Sequence, residues 1–194
     1  MRHLIYFSNS AVTSGSALAQ RDLMSAGRMD IAIHSFIQGV FLSHDFRKDV
    51  KFHFIFYGQP DPPKHIEIQV TDELEISKKD IGNLIKKILY KYKVGEKANP
   101  LSGCFVEKKS FLKVVDELLN SGCEIFILDK KGADIRKAEI SDNCVFILGD
   151  HEGLPKKELK KLKQIATSVS IGPKTYFASQ TIAVVNNELD RRNL

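Results

Sequence analysis

The segment Gly149–Pro155 combines residue types that could approach and act on a small ligand. Its sequence, GDHEGLP, places glycines at positions 149 and 153, where the backbone can come close to a ligand because no Cβ intervenes. His151 lies between Asp150 and Glu152, which resembles part of an acid/base cluster. No serine or cysteine nucleophile with oxyanion-type glycines accompanies these residues, so a hydrolase is not supported. Taken alone, the segment is typical of a turn between a strand and a helix.

Three short apolar runs predict the strands that position this segment. The runs EIFILD, VFILG and SVSIG are rich in β-branched residues and end abruptly, as interior strands of a parallel sheet do. Ligands of open α/β sheets bind beyond the carboxyl ends of such strands. We therefore expect the loops after Leu128, Leu148 and Ile171 to face one common pocket.

The rest of the chain alternates strand and helix patterns, which predicts a single α/β domain over residues 1–194. Residues 9–22 are predicted as a long loop and residues 93–103 as a break between elements. The predicted strands are Leu4–Ser8, Val50–Gly58 and His65–Val70, and the predicted helices occupy residues 29–45, a segment from Ser77, and Phe111–Gly122.

Composition limits the classes of partner. A net charge of +5 and a pI near 9.0 permit an anionic partner such as RNA. The helix pattern of residues 155–165 directs Leu159, Leu162 and Ile165 inward and its lysines outward, which is typical of a solvated face. No apolar run approaches the roughly 18 residues of a membrane helix, and no signal peptide is evident. We therefore expect a cytoplasmic protein without a membrane partner.

Several common sites are excluded by spacing. Neither the P-loop pattern GxxxxGK[ST] nor the dinucleotide pattern GxGxxG occurs, which argues against nucleoside triphosphates and NAD. Cys104, Cys123 and Cys144 have no CxxC spacing and no neighbouring histidine pair. They are predicted to be reduced and mostly buried, with neither a disulfide framework nor a zinc site.

Several segments carry a family resemblance. The segments FILGDHEGLP, SIGPKTYFASQ and NNELDRR resemble the cofactor-binding region of SPOUT methyltransferases, whose chain threads a trefoil knot around S-adenosylmethionine. The segments AGRMD, FLSHDFRKDV and FYGQPDPP resemble the N-terminal half of the archaeal tRNA pseudouridine N1-methyltransferase (TrmY) family. The resemblance to that family runs nearly the whole length of the chain.

This resemblance implies a fold, an assembly and a cofactor site. The implied fold is α/β, with a mostly parallel sheet, helices on both faces and a deep C-terminal trefoil knot, the knot and cofactor site lying within roughly residues 122–194. A homodimer is implied, and no metal. Backbone groups of the three loops would hold S-adenosylmethionine. The implied cofactor-binding residues are Leu128, Leu148, Gly149, Asp150, Gly153, Ile171, Gly172, Pro173, Phe177 and Thr181.

Two landmarks of the family are altered in this sequence. Its HANHC-like segment appears as Phe177–Thr181, so that Thr181 stands where the family has a cysteine, and its SPDER-like segment appears as Ser77–Ile81. A pseudouridine must lose a ring N–H proton as the methyl group arrives, and Asp80 is the predicted catalytic base. By position alone, Asp80 is also typical of a carboxylate that stabilises a helix N-terminus.

The predicted activity is S-adenosylmethionine-dependent methylation of RNA, at N1 of a pseudouridine in the T-loop of tRNA. Phosphate contacts are predicted from Arg21, Arg28, Arg47 and Lys48, although each is also typical of a surface ion-pair partner. Two alternatives remain open. One is the same chemistry on another RNA base or on rRNA, and the other is a non-catalytic RNA-binding paralogue that keeps the knot and the dimer.

Overall fold

The computed structural model describes residues 1–194 and contains one eight-stranded sheet. Five neighbouring strands are parallel in the order β2-β1-β7-β6-β8, and β3, β5 and β4 add an antiparallel edge beyond β2. The predicted mostly parallel α/β fold is confirmed. The strands are β1 (Arg2–Ser8), β2 (Val50–Phe56), β3 (Lys64–Gln69), β4 (Ala98–Leu101), β5 (Cys104–Glu107), β6 (Glu124–Asp134), β7 (Cys144–Gly149) and β8 (Thr167–Ser170).

Helices cover both faces of the sheet because the central strands are apolar on both sides. Along β1, Leu4 and Tyr6 join a core with α1, α2, α3 and α6, whereas Ile5 and Phe7 join a second core with α4 and α5. None of the helices is both long and apolar enough to cross a membrane. They are α1 (Gly15–Ala19), α2 (Met29–Val40), α3 (Ile81–Tyr90), α4 (Phe111–Asn120), α5 (Lys156–Leu162) and α6 (Ala178–Arg191), with one 3-10 turn at Ile135–Lys137.

Four local predictions were wrong. The helix predicted over residues 29–45 ends at Val40, after which Phe41 forms an isolated bridge with Phe46. The predicted loop after β1 contains α1, which begins where the Ser14 hydroxyl accepts a hydrogen bond from the Ala17 amide. The predicted break at residues 93–103 contains β4, an edge strand on which Pro100 is tolerated. Ile165 is 41% exposed, because α5 ends at Leu162. The predicted burial of the three cysteines is confirmed: all are buried and unpaired.

The C-terminal helix is held by buried polar contacts. The Asn186 amide on α6 donates to the carbonyl oxygens of Gln38 and Gly39 at the end of α2, at 3.2 and 3.1 Å. Asp190 pairs with Arg2 at 2.8 Å and with Arg47 at 2.5 Å. Hydrogen bonding by Arg47 lowers the pKa of the Asp190 carboxyl. The end of the chain is thereby joined to both the start of β1 and the segment before β2.

Side chains from four strands form a hydrogen-bonded chain of three buried imidazoles and one carboxylate. Nδ1 of His3 lies 3.0 Å from Nε2 of His53, Nδ1 of His53 lies 2.9 Å from Nε2 of His65, and Nδ1 of His65 lies 3.1 Å from Glu107. Ring centroids are 5.2 Å apart in both histidine pairs, so the rings meet edge to edge. An ionised Glu107 can only accept, and an arrangement in which each Nδ1–H donates to the next group satisfies all three contacts with neutral imidazoles.

The pKa values in this chain favour that neutral arrangement. Burial lowers the pKa of His3 to about 4 and that of His53 well below its usual value. For Glu107, burial disfavours the carboxylate, but hydrogen bonds from His65 and Lys109 outweigh it and lower the pKa to about 2. Between pH 6.5 and about 4 the unfolded chain therefore binds more protons than the folded chain at these histidines.

We predict that the free energy of unfolding falls as the pH is lowered from 6.5 to about 4. Each extra proton bound by the unfolded chain contributes a slope of up to about 1.4 kcal/mol per pH unit. Urea denaturation across this range measures the slope. His3→Gln should make it shallower, whereas His34→Gln, on the exposed side of α2, should leave it unchanged. Equal slopes in the wild type and His3→Gln would contradict the prediction.

Candidate active site

A cavity of about 580 Å³ opens beside the middle of β6 and beyond the carboxyl end of β7, a volume typical of small-molecule sites. Half of its 18 lining residues are hydrophobic. They come from the middle of β6, the end of β7, the loop before α5, α5 itself, the start of α6 and the first turn of α2. The lining residues are Ile31, Ile127, Leu128, Asp129, Lys130, Leu148, Gly149, Asp150, His151, Gly153, Leu154, Leu159, Thr175, Tyr176, Phe177, Ala178, Gln180 and Thr181.

The loop after β7 turns back on itself, and two glycines make this possible. A Cβ at position 149 would overlap the backbone of Gly153. Gly153 has φ of +77°, a left-handed conformation that costs other residues about 1–2 kcal/mol. The amide of Gly153 donates to the carbonyl oxygen of Asp150 at 3.0 Å, which closes the turn. The loop thus presents bare backbone at the edge of the cavity.

The Asp150 carboxylate anchors this loop to β1. Its side chain is fully buried, and Oδ2 accepts a hydrogen bond of 2.6 Å from the Ser8 hydroxyl. Oδ1 accepts from the Glu152 amide at 2.8 Å, while the amide of Asp150 donates to the Phe7 carbonyl at 2.9 Å. His151 Nδ1 lies 4.0 Å from Oδ1 and is too far for a hydrogen bond. Asp150 therefore shapes the site, and its acceptors are already used.

The predicted loop after Leu128 is instead a continuation of β6 with irregular pairing, and an ion pair joins this part of β6 to the end of α5. Lys163 Nζ donates to Asp129 Oδ2 at 2.8 Å, and the Lys131 amide donates to Oδ1 at 3.0 Å. The hydrogen bond from Lys163 is the main reason that the pKa of the Asp129 carboxyl is lowered. The neighbouring Lys130 lines the cavity without any ion pair, so its ammonium group is available to an anionic part of a ligand.

The start of α6 forms the mouth of the cavity. The Phe177 ring is 76% exposed although it lines the cavity wall. The Thr181 hydroxyl donates to the Phe177 carbonyl at 3.1 Å, and the Phe177 amide donates to Gln180 Oε1 at 3.1 Å. The mouth is therefore an ordered helix start that carries one exposed aromatic face.

Seven of the ten predicted cofactor-binding residues line this cavity, and three lie beside it. Ile171 and Gly172 line a small adjoining cavity of about 140 Å³, which shares Leu128 and Thr181 with the main cavity. Pro173 lines a third cavity, of about 430 Å³. The loop after β8 thus flanks the space that the middle of β6 and the loop after β7 enclose. The seven are Leu128, Leu148, Gly149, Asp150, Gly153, Phe177 and Thr181.

The predicted base, Asp80, lies elsewhere in the chain. It immediately precedes α3 and lines a separate cavity of about 690 Å³ together with Glu73 and Glu75. That cavity shares no lining residue with the main cavity. Within one chain, the structure does not bring Asp80 together with the predicted cofactor loops.

Three of the four predicted RNA-binding cations are engaged in ion pairs. Arg28 binds Asp30 through two hydrogen bonds, of 3.0 and 2.9 Å. Arg47 binds Asp190, and Lys48 pairs with Asp72. Arg21 is exposed and makes no ion pair.

One group of side chains could hold a metal ion. Donor atoms of His53, His65 and Glu67 lie within 4.8 Å of one another, on the face of the sheet that packs against α4. The nitrogens of His53 point at neighbouring imidazoles in the hydrogen-bonded chain rather than at a common point. None of the three residues lines the main cavity.

The sequence interpretation missed several lining residues. Asp129, Lys130 and Tyr176 lie in or next to the predicted loops, so loop membership was the signal that could have identified them. Ile31 had no such signal, because it reaches the cavity from α2, nearly 100 residues earlier in the chain than the lining residues of β6.

Comparison with known proteins gives a match over the whole chain. Residues 1–194 match the sequence profile of a family described as putative SAM-dependent RNA methyltransferases. Three similar proteins are each named tRNA (pseudouridine(54)-N(1))-methyltransferase. The protein of Methanococcus aeolicus is 36% identical over 100% of both chains, that of Pyrococcus abyssi 35% identical over 98% of both, and that of Methanococcoides burtonii 34% identical over 98% of this chain and 96% of its own. The predicted family resemblance is confirmed.

A solved structure supports the fold. Nep1 of Archaeoglobus fulgidus, crystallised with S-adenosylhomocysteine, superposes with a TM-score of 0.63 over 99% of this chain and 98% of its own. The two sequences are 12% identical, so the similarity is one of fold.

We predict that Ser8→Ala destabilises the protein. Asp150 would keep a buried carboxylate that has lost a donor, which should lower the free energy of unfolding by about 2 kcal/mol. Ser25→Ala is the matched control, because Ser25 makes the same kind of hydrogen bond to Asp22 on the exposed surface. Its effect should be much smaller. Equal losses in urea denaturation would show that the contact between Ser8 and Asp150 does not hold the loop.

Proposed function

Because the chain belongs to the family of putative SAM-dependent RNA methyltransferases, we propose that it transfers the methyl group of S-adenosylmethionine to N1 of a pseudouridine in the T-loop of tRNA. The full-length relatives named for this reaction support the substrate and suggest position 54. The observation that carries the proposal is the cavity itself. Seven residues implied by the family resemblance line one space of about 580 Å³ at the carboxyl ends of parallel strands.

The lining of the cavity suits this cofactor. Leu128, Leu148 and Leu154 offer apolar surface for the adenine ring, and the loop between Gly149 and Gly153 offers close backbone groups. When bound, the cofactor supplies an electrophilic methyl group. We further propose that residues 122–194 hold this site in a trefoil knot within a single domain, and that the protein acts as a homodimer.

Residues of this protein position the pseudouridine and accept its N1 proton. The N1 proton of the pseudouridine must leave as N1 attacks the methyl group, and a carboxylate within reach could accept it. Asp150 is buried with both oxygens engaged, and the lowered pKa of Asp129 makes that group a weak base. Neither carboxylate in the cavity is free for this role.

We assign the proton acceptor to Asp80, supplied by the second copy of the homodimer. Its side chain is exposed and makes no hydrogen bond, and its own chain places it in another cavity. An exposed carboxylate on one copy can approach the cavity of the other without any rearrangement of the sheet. This assignment explains why the predicted base and the predicted cofactor loops are apart within one chain.

We predict that the protein methylates tRNA containing pseudouridine. Purified protein, S-adenosylmethionine labelled in the methyl group and a tRNA transcript with pseudouridine at position 54 should yield N1-methylpseudouridine, identified by mass spectrometry of the nucleosides. The same transcript with uridine is the control, since uridine offers no N1–H. Label on another nucleoside would favour a different RNA target. Cofactor binding without transfer to any RNA would favour a non-catalytic paralogue.

We predict that Asp80 acts across the dimer. Asp80→Asn and Gly149→Ala should each lose most activity. The first removes the proton acceptor, and the second distorts the loop that holds the cofactor. A mixture that is unfolded and refolded together should regain activity, because a mixed dimer contains one intact composite site. Mixing the same variants without exchange of subunits is the control. A refolded mixture that stays inactive would refute action across the dimer, and full activity of Asp80→Asn would remove Asp80 from catalysis.

A further inference from the structure

We propose that RNA docks through its phosphates on a group of exposed lysines around the cavity mouth, here named the lysine rim. The proposal rests on the function proposed above, in which RNA is the substrate, and it adds the surface that holds the RNA. It replaces the surface predicted from Arg28, Arg47 and Lys48. The lysine rim comprises Lys130, Lys131, Lys156, Lys157, Lys160, Lys161 and Lys174.

The rim lies on elements that also form the cavity. On α5, Leu159 lines the cavity and Leu162 is buried in the core, which leaves the lysines of this helix on its exposed side. Lys130 lines the cavity, and Lys174 lines the small cavity that adjoins it. Lys130 and Lys174 therefore border the opening through which a target base would enter, and the exposed lysines of α5 extend this positive surface away from the opening.

The rim lysines are free, unlike most of the predicted cations. None of the seven makes an ion pair within 4.0 Å, whereas Lys163, on the same segment, is paired with Asp129. A cation that already contacts a carboxylate must break that contact before it can meet a phosphate. Arg28 and Arg47 each hold a carboxylate by two hydrogen bonds, which makes that exchange costly.

The local charge balance favours an anion. Residues 155–165 contain five lysines and one acidic residue, Glu158, and Glu152 is the exposed acidic side chain of the preceding loop. The Phe177 ring at the mouth adds an exposed aromatic face, on which a base splayed from an RNA loop could stack. Free cations beside an aromatic face and a deep cavity suit a single-stranded loop whose backbone lies on the rim while one base enters.

Charge removal on the rim tests this proposal. The triple variant Lys157→Gln/Lys160→Gln/Lys161→Gln should weaken binding of the tRNA transcript at least tenfold at physiological salt. Each lost phosphate contact should make the slope of log affinity against log salt shallower by about 0.7–0.9, which gives a total change of about 2–3 for three contacts. Glutamine keeps the helix propensity of lysine, so α5 should persist. Calorimetric affinity for S-adenosylmethionine should be unchanged, which also checks the fold.

A matched control removes the same charge elsewhere. Lys86, Lys91 and Lys113 lie on or next to α3 and on α4, and none makes an ion pair. Their triple glutamine variant should bind tRNA within twofold of the wild type. Equal weakening in both triple variants would mean that net charge rather than the rim attracts RNA, and it would overturn the proposal. Unchanged binding in the rim variant would overturn it as well.

Kinetics separate this surface from the proposed reaction. At saturating tRNA the rim variant should keep the wild-type kcat while its KM rises, because the rim holds RNA and does not touch the reacting atoms. If the wild type binds tRNA through the rim but transfers no methyl group, the surface stands and the proposed function fails. If the wild type methylates tRNA and the rim variant binds tRNA as tightly as the control variant, the proposed function is supported and the proposed surface is refuted.

Discussion

The hydrogen bond between Ser8 and Asp150 is the contact on which the site depends. It joins the end of β1 to the loop after β7 at 2.6 Å, within a region from which water is excluded. An unpaired carboxylate there would be strongly disfavoured, so the loop keeps the one path that satisfies both oxygens. That path requires glycine at position 149, and it leaves bare backbone facing the cavity. The geometry of the candidate cofactor site thus follows from the need to satisfy a buried charge.

Cationic side chains serve both the fold, as ion-pair partners, and the proposed RNA surface, as phosphate contacts. Arg47 looks like a nucleic-acid contact in the sequence, but it binds Asp190 and helps to hold α6 against the start of the chain. The lysines of α5 look like an ordinary solvated face, yet they make no ion pair and lie on the helix whose Leu159 lines the cavity. A cation that is paired with a carboxylate inside the fold is less available to a phosphate of RNA. For this reason we place the proposed RNA surface on the lysine rim.

Most elements could be predicted because their signals are local. Apolar runs that end in glycine or aspartate identified β6, β7 and β8, and the spacing of apolar residues identified α2 and α4. The prediction failed at β4, which contains Asn99 and Pro100 and exists because β5 offers a pairing partner. It also failed for Ile165, since the end of α5 depends on where the chain turns into β8. Strand pairing and the point at which the chain reverses depend on contacts between distant residues, and the local spacing of apolar residues does not encode them.

For the candidate site, the sequence by itself determined which loops carry glycine and acidic residues, because the ends of parallel strands are readable one strand at a time. The family resemblance of these segments then implied seven residues of the main cavity. Only the tertiary structure decided that Ile31 completes the wall, that Asp80 lies in a different cavity, and which cations remain free. Each of these depends on distances between residues far apart in the chain. Such distances are set by the packing of helices on the sheet and leave no trace in local spacing.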